Sequence, residues 1–254
     1  MDSEPRSRDS DGRIDDGGER TVRTGRPLAA GTPVDGPALA LSPESPASVR
    51  LRQSPRPLVS DPASETWATL LERPDQGETD RPVLLQWVSP DSPAPPPHYH
   101  PTTETFRALE GTLTVVREGD PVRLAPGDSL TVDPGQVHTF RNDTDETVAF
   151  RAALPSMRTV RGLYTAWGLA HERGRDDDGR YPGPGLLPSL AIAAEMYDAT
   201  VLATVPEPVQ RPLWAAVDRA TDLAGATSLD DASLDPSFWH RHVEQPVWET
   251  WGWD

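Results

Sequence analysis

Three histidines and one glutamate are the side chains in this sequence whose types and spacing are best suited to chemistry. His98 and His100 stand one residue apart in "PPPHYHPTTETFRALEG", Glu104 follows in the same stretch, and His138 lies in "PGDSLTVDPGQVHTFRN". Alternate side chains of an extended strand point to the same face, so His98 and His100 can act together. Three imidazoles and a carboxylate are a ligand set for a divalent transition metal such as iron, manganese, nickel, copper or zinc.

Short strands are the elements that would position these side chains. Turn sequences such as "APGD" and "DPG" separate short apolar runs, a pattern that predicts consecutive strands joined by tight turns. Roughly eight strands at this spacing are typical of a sandwich, a jelly roll or a small barrel. The runs are "ETWATLL", "PVLLQWV", "ETFRAL", "TLTVV", "VRL", "SLTV", "HTFRN" and "TVAFRAAL".

Side chains on the same strand faces as the metal-ligand candidates would line a substrate pocket. Phe106 shares a strand face with Glu104, and Phe140 and Asn142 share a face with His138. We expect Phe106 and Phe140 to line the pocket. Asn142 could line it as well, but its residue type favours fixing the turn into "NDTDE".

The periodicity becomes helical after Pro155 and divides the chain into four regions. Residues 1–56 mix Asp, Arg, Ser, Gly and Pro with few large apolar side chains, which predicts a disordered tail, although "ALALS" at 38–42 suits a short strand. The strands occupy 57–156. Within 157–225 we expect about three helices packing on them, with helical faces from Val160 to His171, from Leu190 to Val201 and from Leu213 to Ala224. Gly174 would end the first helix, and Pro212 would lie near the start of the third. Residues 226–254 form an acidic, tryptophan-rich tail that we expect to dock on the strands or on a partner subunit.

Composition excludes several function classes. The net charge is −16 and all 24 basic residues are arginine, which argues against nucleic-acid and anionic-membrane partners. Such acidity is typical of halophilic proteins, although the bias toward arginine can also reflect a GC-rich coding sequence. Cysteine is absent, so disulfides and thiolate ligands are excluded. The N-terminus lacks the apolar core of a signal peptide and no apolar run is long enough for a membrane span, which predicts a cytoplasmic protein.

The two histidine-bearing stretches resemble the paired motifs of the cupin superfamily. The short separation of the two motifs resembles that of microbial cupins. Two positions depart from the pattern: Ser92 stands where the first motif often begins with glycine, and Asp133 replaces the usual proline. Neither position binds metal in the family. The matching residues are His98, His100, Glu104 and Gly111 in the first motif, and Gly127, Gly135, His138 and Asn142 in the second.

The resemblance implies a double-stranded β-helix, that is, a mainly β jelly-roll barrel with a metal in its lumen, followed by helices as in some cupins that are compared with quercetin dioxygenases. It implies a metal-dependent oxygenase acting on a small organic molecule, with the metal held by His98, His100, Glu104 and His138. Glu104 would also serve as a catalytic base. A non-catalytic cupin that binds or senses a small molecule and a metal-dependent isomerase or lyase are the alternatives, since one fold hosts many chemistries. Many cupins pair through sheet edges, so we also expect a homodimer.

Two further histidine sites in the sequence are predicted to be structural. His171 lies near the end of a predicted helix, where the helix dipole favours an imidazolium. "WHRH" at 239–242 repeats the spacing of His98 and His100 but has no glutamate four residues on and no strand pattern around it.

Overall fold

The computed structural model describes residues 21–74, 80–90, 92–226 and 229–248. These residues form strands, five α-helices and one 3-10 helix (Asp231–Leu234). The strands are β1 (Val22–Thr24), β2 (Leu28–Ala29), β3 (Thr32–Pro33), β4 (Leu39–Leu41), β5 (Val59–Asp61), β6 (Thr66–Glu72), β7 (Val83–Val88), β8 (His98–Tyr99), β9 (Glu104–Glu110), β10 (Leu113–Arg117), β11 (Asp120–Leu124), β12 (Ser129–Val132), β13 (His138–Asn142), β14 (Val148–Ala153) and β15 (Val201–Leu202). The α-helices are α1 (Pro46–Gln53), α2 (Met157–Arg173), α3 (Leu186–Met196), α4 (Glu207–Leu223) and α5 (Pro236–His242).

Two antiparallel sheets enclose the main core. The larger sheet has the order β12-β9-β14-β7-β6-β5, and the smaller has the order β11-β10-β13-β8-β15. Apolar side chains of both sheets meet between them, for example Phe106 and Phe150 from the larger sheet and Leu113 and Val115 from the smaller. This burial of apolar surface is the main force that holds the two sheets face to face.

Each of the eight apolar runs in the sequence contains a strand, in the region from β6 to β14. Strand β5 was not predicted, because its three residues are too few to show the alternation of apolar and polar side chains. Among the described residues the strand pairings form two large sheets and two small two-stranded sheets, and no closed barrel. The observed architecture is therefore a mixed strand and helix fold built on the two large sheets.

The part of the predicted N-terminal tail that the structure describes, residues 21–56, is folded, which corrects that expectation. Strand β4 lies where "ALALS" predicted a strand, and it pairs with β1. A second core forms on the outer face of the larger sheet, where Leu39 and Leu51 pack with Trp67 and Trp87. This core was not predicted from the sequence. Strands β6 and β7 are buried on both faces, so apolar and polar residues do not alternate along them and no second apolar face can be recognised. Residues 1–20 lie outside the described residues.

Three helices lie within 157–225, the number that the sequence predicted, but their bounds differ from the predicted ones. Helix α2 covers the first predicted face and ends at Gly174, which has a positive φ of 70°. The second predicted face ends early, because Val201 belongs to β15 and not to a helix. The third begins before its expected start, so that Pro212 lies inside α4. Helix α5 was missed, since it has only seven residues.

The C-terminal segment 229–248 is docked on the rest of the molecule and is not a free tail. Trp239 is 1% exposed, and its indole Nε1 donates a hydrogen bond to the Ser233 carbonyl at 2.6 Å. Arg26 forms a two-point pair with Glu244, with N–O distances of 2.7 and 2.6 Å. Trp251 and Trp253 lie outside the described residues. No helix in the described part of the chain is long and apolar enough to cross a membrane.

Candidate metal centre

Strands β8, β9 and β13 bring the four predicted ligands together. The Cα partner of His98 in the smaller sheet is His138, so the two motifs pair directly. Glu104 opens β9 on the facing sheet. The Gly135 N–H donates to the His100 carbonyl at 2.8 Å, which ties the turn before β13 to the end of β8. Gly135 has a φ of +80°, a conformation that favours glycine at this position.

The ligand atoms of the four side chains converge in one small volume. One nitrogen or oxygen from each of His98, His100, Glu104 and His138 lies within 4.8 Å of the others. The Glu104 Oε2 atom is 2.8 Å from His138 Nε2 and 3.3 Å from His100 Nε2. His100, Glu104 and His138 are 3, 4 and 1% exposed, whereas His98 is partly exposed. The cluster is therefore buried, with its more open side at His98.

Each of the three imidazoles is oriented by a backbone carbonyl that faces its Nδ1 atom. His98 Nδ1 is 2.7 Å from the Pro96 oxygen, His100 Nδ1 is 2.8 Å from the Ala199 oxygen, and His138 Nδ1 is 3.0 Å from the Gln136 oxygen. A carbonyl oxygen only accepts, so each Nδ1 must carry the proton and donate. In the neutral rings the lone pair is then on Nε2, the tautomer that binds a metal through Nε2.

The electrostatics of the cluster favour an ionised glutamate. Burial alone would raise the pKa of Glu104, but hydrogen bonds and charges from His100 and His138 lower it to about 2. Burial and the neighbouring His138 lower the pKa of His98 to about 4. Burial opposes protonation of His138 as well, but its hydrogen bonds to Glu104 and Gln136 raise its pKa overall. The cluster thus combines one anionic carboxylate with imidazoles of unequal basicity.

This arrangement fits a bound cation. With Nδ1 donating to carbonyls, a neutral imidazole turns a lone pair toward the Glu104 carboxylate, which is repulsive at 2.8 Å. A positive charge among these atoms removes the repulsion, either as a proton on an imidazole or as a metal ion. Imidazole nitrogens and a carboxylate oxygen, each with its outer hydrogen bonds already made, are the donors that divalent transition metals take.

Aromatic rings cover one side of the cluster. Phe106 lies with its ring centroid 6.1 Å from that of His138, and Phe140 and Phe150 lie 5.8 and 6.1 Å from Phe106. Phe106 is buried and Phe140 is partly exposed. Of the two phenylalanines that the sequence pointed to, Phe106 therefore adjoins the cluster, and Phe140 packs against Phe106 in the same apolar wall.

Asn142 makes the turn-fixing hydrogen bonds that its residue type favoured, and not contacts in the pocket. Its Nδ2 group donates to the carbonyls of Val88 and Glu146 at 3.0 and 2.7 Å. Its Oδ1 atom accepts from the backbone N–H and the hydroxyl of Thr144 at 2.9 and 2.7 Å. Both donors and both acceptor positions of the amide are used. Asn142 fixes the turn after β13 and is left without capacity for a substrate.

Sequence reasoning missed the contribution of the segment after α3. The Ala199 carbonyl orients His100, and β15 adds a strand beside β8, with Leu202 as the partner of His98. No signal in the sequence could have identified a backbone carbonyl 99 residues away from its histidine.

The comparisons with known proteins agree with this site. Residues 85–153 match the model of the Cupin_2 family, a cupin domain, and this segment contains all four ligand candidates. The curated quercetin 2,3-dioxygenase of Bacillus subtilis (strain 168) is 39% identical over 61 residues, which are 24% of this chain and 18% of that enzyme. The chain thus matches less than a fifth of the relative's length. Residues 85–153 belong to the cupin superfamily.

Solved structures with a similar domain include proteins of different activities. The polyketide cyclase RemF of Streptomyces resistomycificus is 24% identical, with a TM-score of 0.34 over 40% of this chain and 73% of that one. A salicylate 1,2-dioxygenase variant of Pseudoaminobacter salicylatoxidans is 28% identical, with a TM-score of 0.30 over 34% of this chain and 26% of that one.

Proposed function

We propose that the protein is a metal-dependent cupin oxygenase that acts on a small organic molecule. The observation that carries the proposal is the convergence of three Nε2 atoms and one carboxylate oxygen in a buried cluster, with every Nδ1 engaged by a carbonyl. We also propose that the two sheets correspond to the double-stranded β-helix of the superfamily.

His98, His100, Glu104 and His138 would hold a divalent ion such as iron, manganese, nickel, copper or zinc. The bound ion would supply Lewis acidity and, if it is redox-active, a path for electrons. The low pKa of Glu104, about 2, keeps its carboxylate ionised at neutral pH, as a metal ligand requires. We also propose that Glu104 leaves the metal to act as the catalytic base, because a carboxylate next to an open metal site can exchange these roles.

The surrounding residues would bind the substrate and exclude water. Phe106 and Phe140 present an apolar wall beside His138, which suits an apolar or aromatic substrate. His98 is the partly exposed ligand, so we place the substrate approach on its side.

The name of one relative supports oxygen chemistry in particular. The quercetin 2,3-dioxygenase of Bacillus subtilis is similar at 39% identity over 61 residues. We therefore propose flavonols, diketones and aromatic diols as the first substrates to test.

The test measures metal content and oxygen uptake on the same preparations. The purified protein would be loaded in turn with Fe²⁺, Mn²⁺, Ni²⁺, Cu²⁺ and Zn²⁺, and bound metal would be quantified. Oxygen uptake would then be followed with the substrate panel. We expect one metal per chain and substrate-dependent oxygen uptake with at least one redox-active metal, and neither in a His98→Ala, His138→Ala variant.

Three results would overturn parts of the proposal. Failure of every ion to bind stoichiometrically would remove the metal site. Stoichiometric metal with substrate binding but no turnover would identify a non-catalytic binding or sensing cupin. Substrate conversion without oxygen uptake would identify an isomerase or lyase.

A further inference from the structure

Two of the proposed metal ligands are held by a segment that lies outside the cupin match. We call residues 197–205, which follow Met196 at the end of α3 and precede α4, the β15 segment. Its Ala199 carbonyl accepts the Nδ1 proton of His100 at 2.8 Å, and the Thr200 hydroxyl lies 3.4 Å from the same nitrogen. Its strand pairs with β8 through Leu202 and His98, and the Ala203 N–H donates to the Pro97 carbonyl at 2.9 Å.

The strand itself is too short to fix its own position. Strand β15 has two residues, and so does β8, its neighbour in the sheet. Two-residue pairings make few hydrogen bonds and bury little surface, so the groups at the ends of the segment must hold it in place.

The N-terminal end of the segment is anchored on α2 through Met196. The Met196 carbonyl accepts the N–H groups of both Ala199 and Thr200 at 2.8 Å. The Met196 side chain lies where Gly162 has no side chain, so closely that a Cβ atom at residue 162 would be 1.9 Å from its sulfur. Asp198 also pairs with Arg158 of α2.

The C-terminal end of the segment is anchored on α4 through one amide. Gln210 is 1% exposed, and its Nε2 group donates to the carbonyls of Leu202 and Val205 at 2.9 and 2.6 Å. The Trp214 indole Nε1 approaches the Gln210 Oε1 atom at 3.4 Å, which holds the amide in that orientation. Burying a polar amide is favourable only when such partners are present.

We propose that the β15 segment sets the orientation of the His100 ring and the position of the His98 backbone, and that Gln210 is a positioning residue for the metal site. The inference rests on the proposed metal-binding function. Outer hydrogen-bond partners of metal-binding histidines fix their tautomer and direction. Here that partner is a backbone carbonyl whose place depends on Gln210 at one end of the segment and on Met196 at the other.

The test compares Gln210→Met with Gln245→Met. Methionine keeps much of the volume of glutamine but removes both donors. Gln245 is a matched control, because its Nε2 group also donates to two backbone carbonyls, those of Leu58 and Val243, at 2.9 and 3.0 Å, away from the metal cluster. Both variants should lose stability by a similar amount.

The readouts are the affinity for Co²⁺ and the visible absorption of the Co²⁺-loaded protein, which reports how the ligands are arranged around the ion. We expect Gln210→Met to lower Co²⁺ affinity about tenfold or more and to change the absorption bands, as outer-partner substitutions do in other metal sites. Gln245→Met should leave both readouts at the values of the unmodified protein.

A second pair of variants addresses the other anchor and does not depend on whether Gln210→Met folds. Gly162→Ala would displace the Met196 side chain. Gly168→Ala, on the same helix, is the control: its added Cβ atom would lie 3.1 Å from the Phe238 ring, so it would disturb the packing of α5 and not Met196. Gly162→Ala alone should weaken Co²⁺ binding.

The outcomes separate this inference from the proposed function. If the unmodified protein binds no Co²⁺ or other divalent ion, the metal proposal fails and the inference fails with it. If the unmodified protein binds Co²⁺ but Gln210→Met and Gly162→Ala match their controls in affinity and spectrum, the inference alone is wrong.

Discussion

The chain has two histidine pairs of identical spacing, His98 with His100 and His240 with His242, and the two pairs have different structural environments. The first pair lies at the end of a strand, and both rings join the buried cluster with Glu104 and His138. The second lies in α5, where His240 is exposed while the His242 ring stacks on Phe238 at 4.2 Å between centroids. The spacing in the sequence is the same, so the secondary structure makes the difference.

The geometry of each element explains the contrast. In a strand, side chains two residues apart point to the same side, so both imidazoles reach one ion. In a helix, residues two apart do not face each other, and only residues three or four apart are neighbours. A histidine pair of this spacing is therefore informative only when the residues around it predict a strand.

The outer partners of the rings sharpen the contrast. The Nδ1 atom of His100 donates to a carbonyl 99 residues away, which leaves Nε2 directed toward Glu104. The Nδ1 atom of His242 donates to the Phe238 carbonyl, four residues earlier in its own helix, at 2.8 Å. The His100 ring is thus fixed to a distant part of the chain, whereas the His242 ring is fixed only to its own helix.

The largest effect that tests this comparison is on metal content. A His98→Ala, His138→Ala protein should lose its divalent metal, because only one imidazole and one carboxylate of the set remain. A His240→Ala, His242→Ala protein should retain the metal content of the unmodified protein. Elemental analysis of the dialysed proteins measures both, and circular dichroism checks that each is folded.

If both double variants kept the metal content of the unmodified protein, the comparison would be contradicted, because neither histidine pair would then hold the metal. Metal loss in the His240→Ala, His242→Ala protein alone would move the site to α5.

A smaller loss of metal binding is expected when Glu104 is replaced, the glutamate that only the first histidine pair has four residues on. Glu104→Gln keeps the size of the side chain but removes the anionic oxygen 2.8 Å from His138 Nε2. We expect metal affinity to fall by about tenfold or more, because a neutral amide is a poorer ligand than a carboxylate, and a loss of about 1.4 kcal/mol in binding corresponds to a factor of ten. Titration with Zn²⁺ monitored by competition with a chelator measures the change.

Glu110→Gln is the control for this experiment. Glu110 lies at the far end of the same strand, where its carboxylate accepts the Ala47 N–H at 2.6 Å. An unchanged affinity in Glu104→Gln would mean that the carboxylate is not a ligand.

A third test uses His171, a buried histidine outside both pairs. Its Nε2 atom lies 3.0 Å from the Ser60 carbonyl, and burial lowers its pKa from 6.5 to about 4. The folded pKa lies below the unfolded one, so the unfolded chain takes up the proton first as the pH falls. Stability should therefore be fully present above about pH 6.5 and lost as the pH falls toward 4, by roughly 3 kcal/mol from this group.

Urea unfolding at several pH values measures this loss, with His171→Gln as the comparison. The variant should show a shallower dependence of the free energy of unfolding on pH between 7 and 4. Parallel pH profiles of the two proteins would show that His171 is not the titrating group.

The convergence of the four side chains could be predicted because strand alternation pairs the first two histidines and because both stretches match the paired cupin motifs. Strand alternation places His98 with His100, and the turn around Gly135 leads directly into His138. The folded segment at 21–56 was not predictable in this way, because Leu39 and Leu51 are buried only by the outer face of β6 and β7. The role of β15 depends on carbonyls and on a two-residue strand, and neither has a characteristic side-chain pattern.

The same limit applies to Asn142, for which the sequence left a pocket role and a turn role open. Its position on the face of His138 follows from alternation. Of its four hydrogen bonds, one goes to Val88 in β7 and three go to the β13–β14 turn, so they depend on where these elements lie in the fold. Strand position predicts which way a side chain points, and only the packed structure shows which partners it finds there.

The smallest effect concerns His242 alone. Its ring is inclined 25° to that of Phe238 and lies 6.1 Å from the His171 ring, so it acts as an aromatic packing group. We expect His242→Ala to lower the free energy of unfolding by about 1 kcal/mol, the size typical of an aromatic pair, and His240→Ala to leave it unchanged because that ring is exposed. Urea unfolding at pH 8, where His171 is neutral, measures the contribution of the His242–Phe238 ring contact without a change in the charge of His171.

If His242→Ala instead reduced bound metal while stability stayed constant, the helical pair would be a ligand pair. Secondary structure would then not be what separates the two sites.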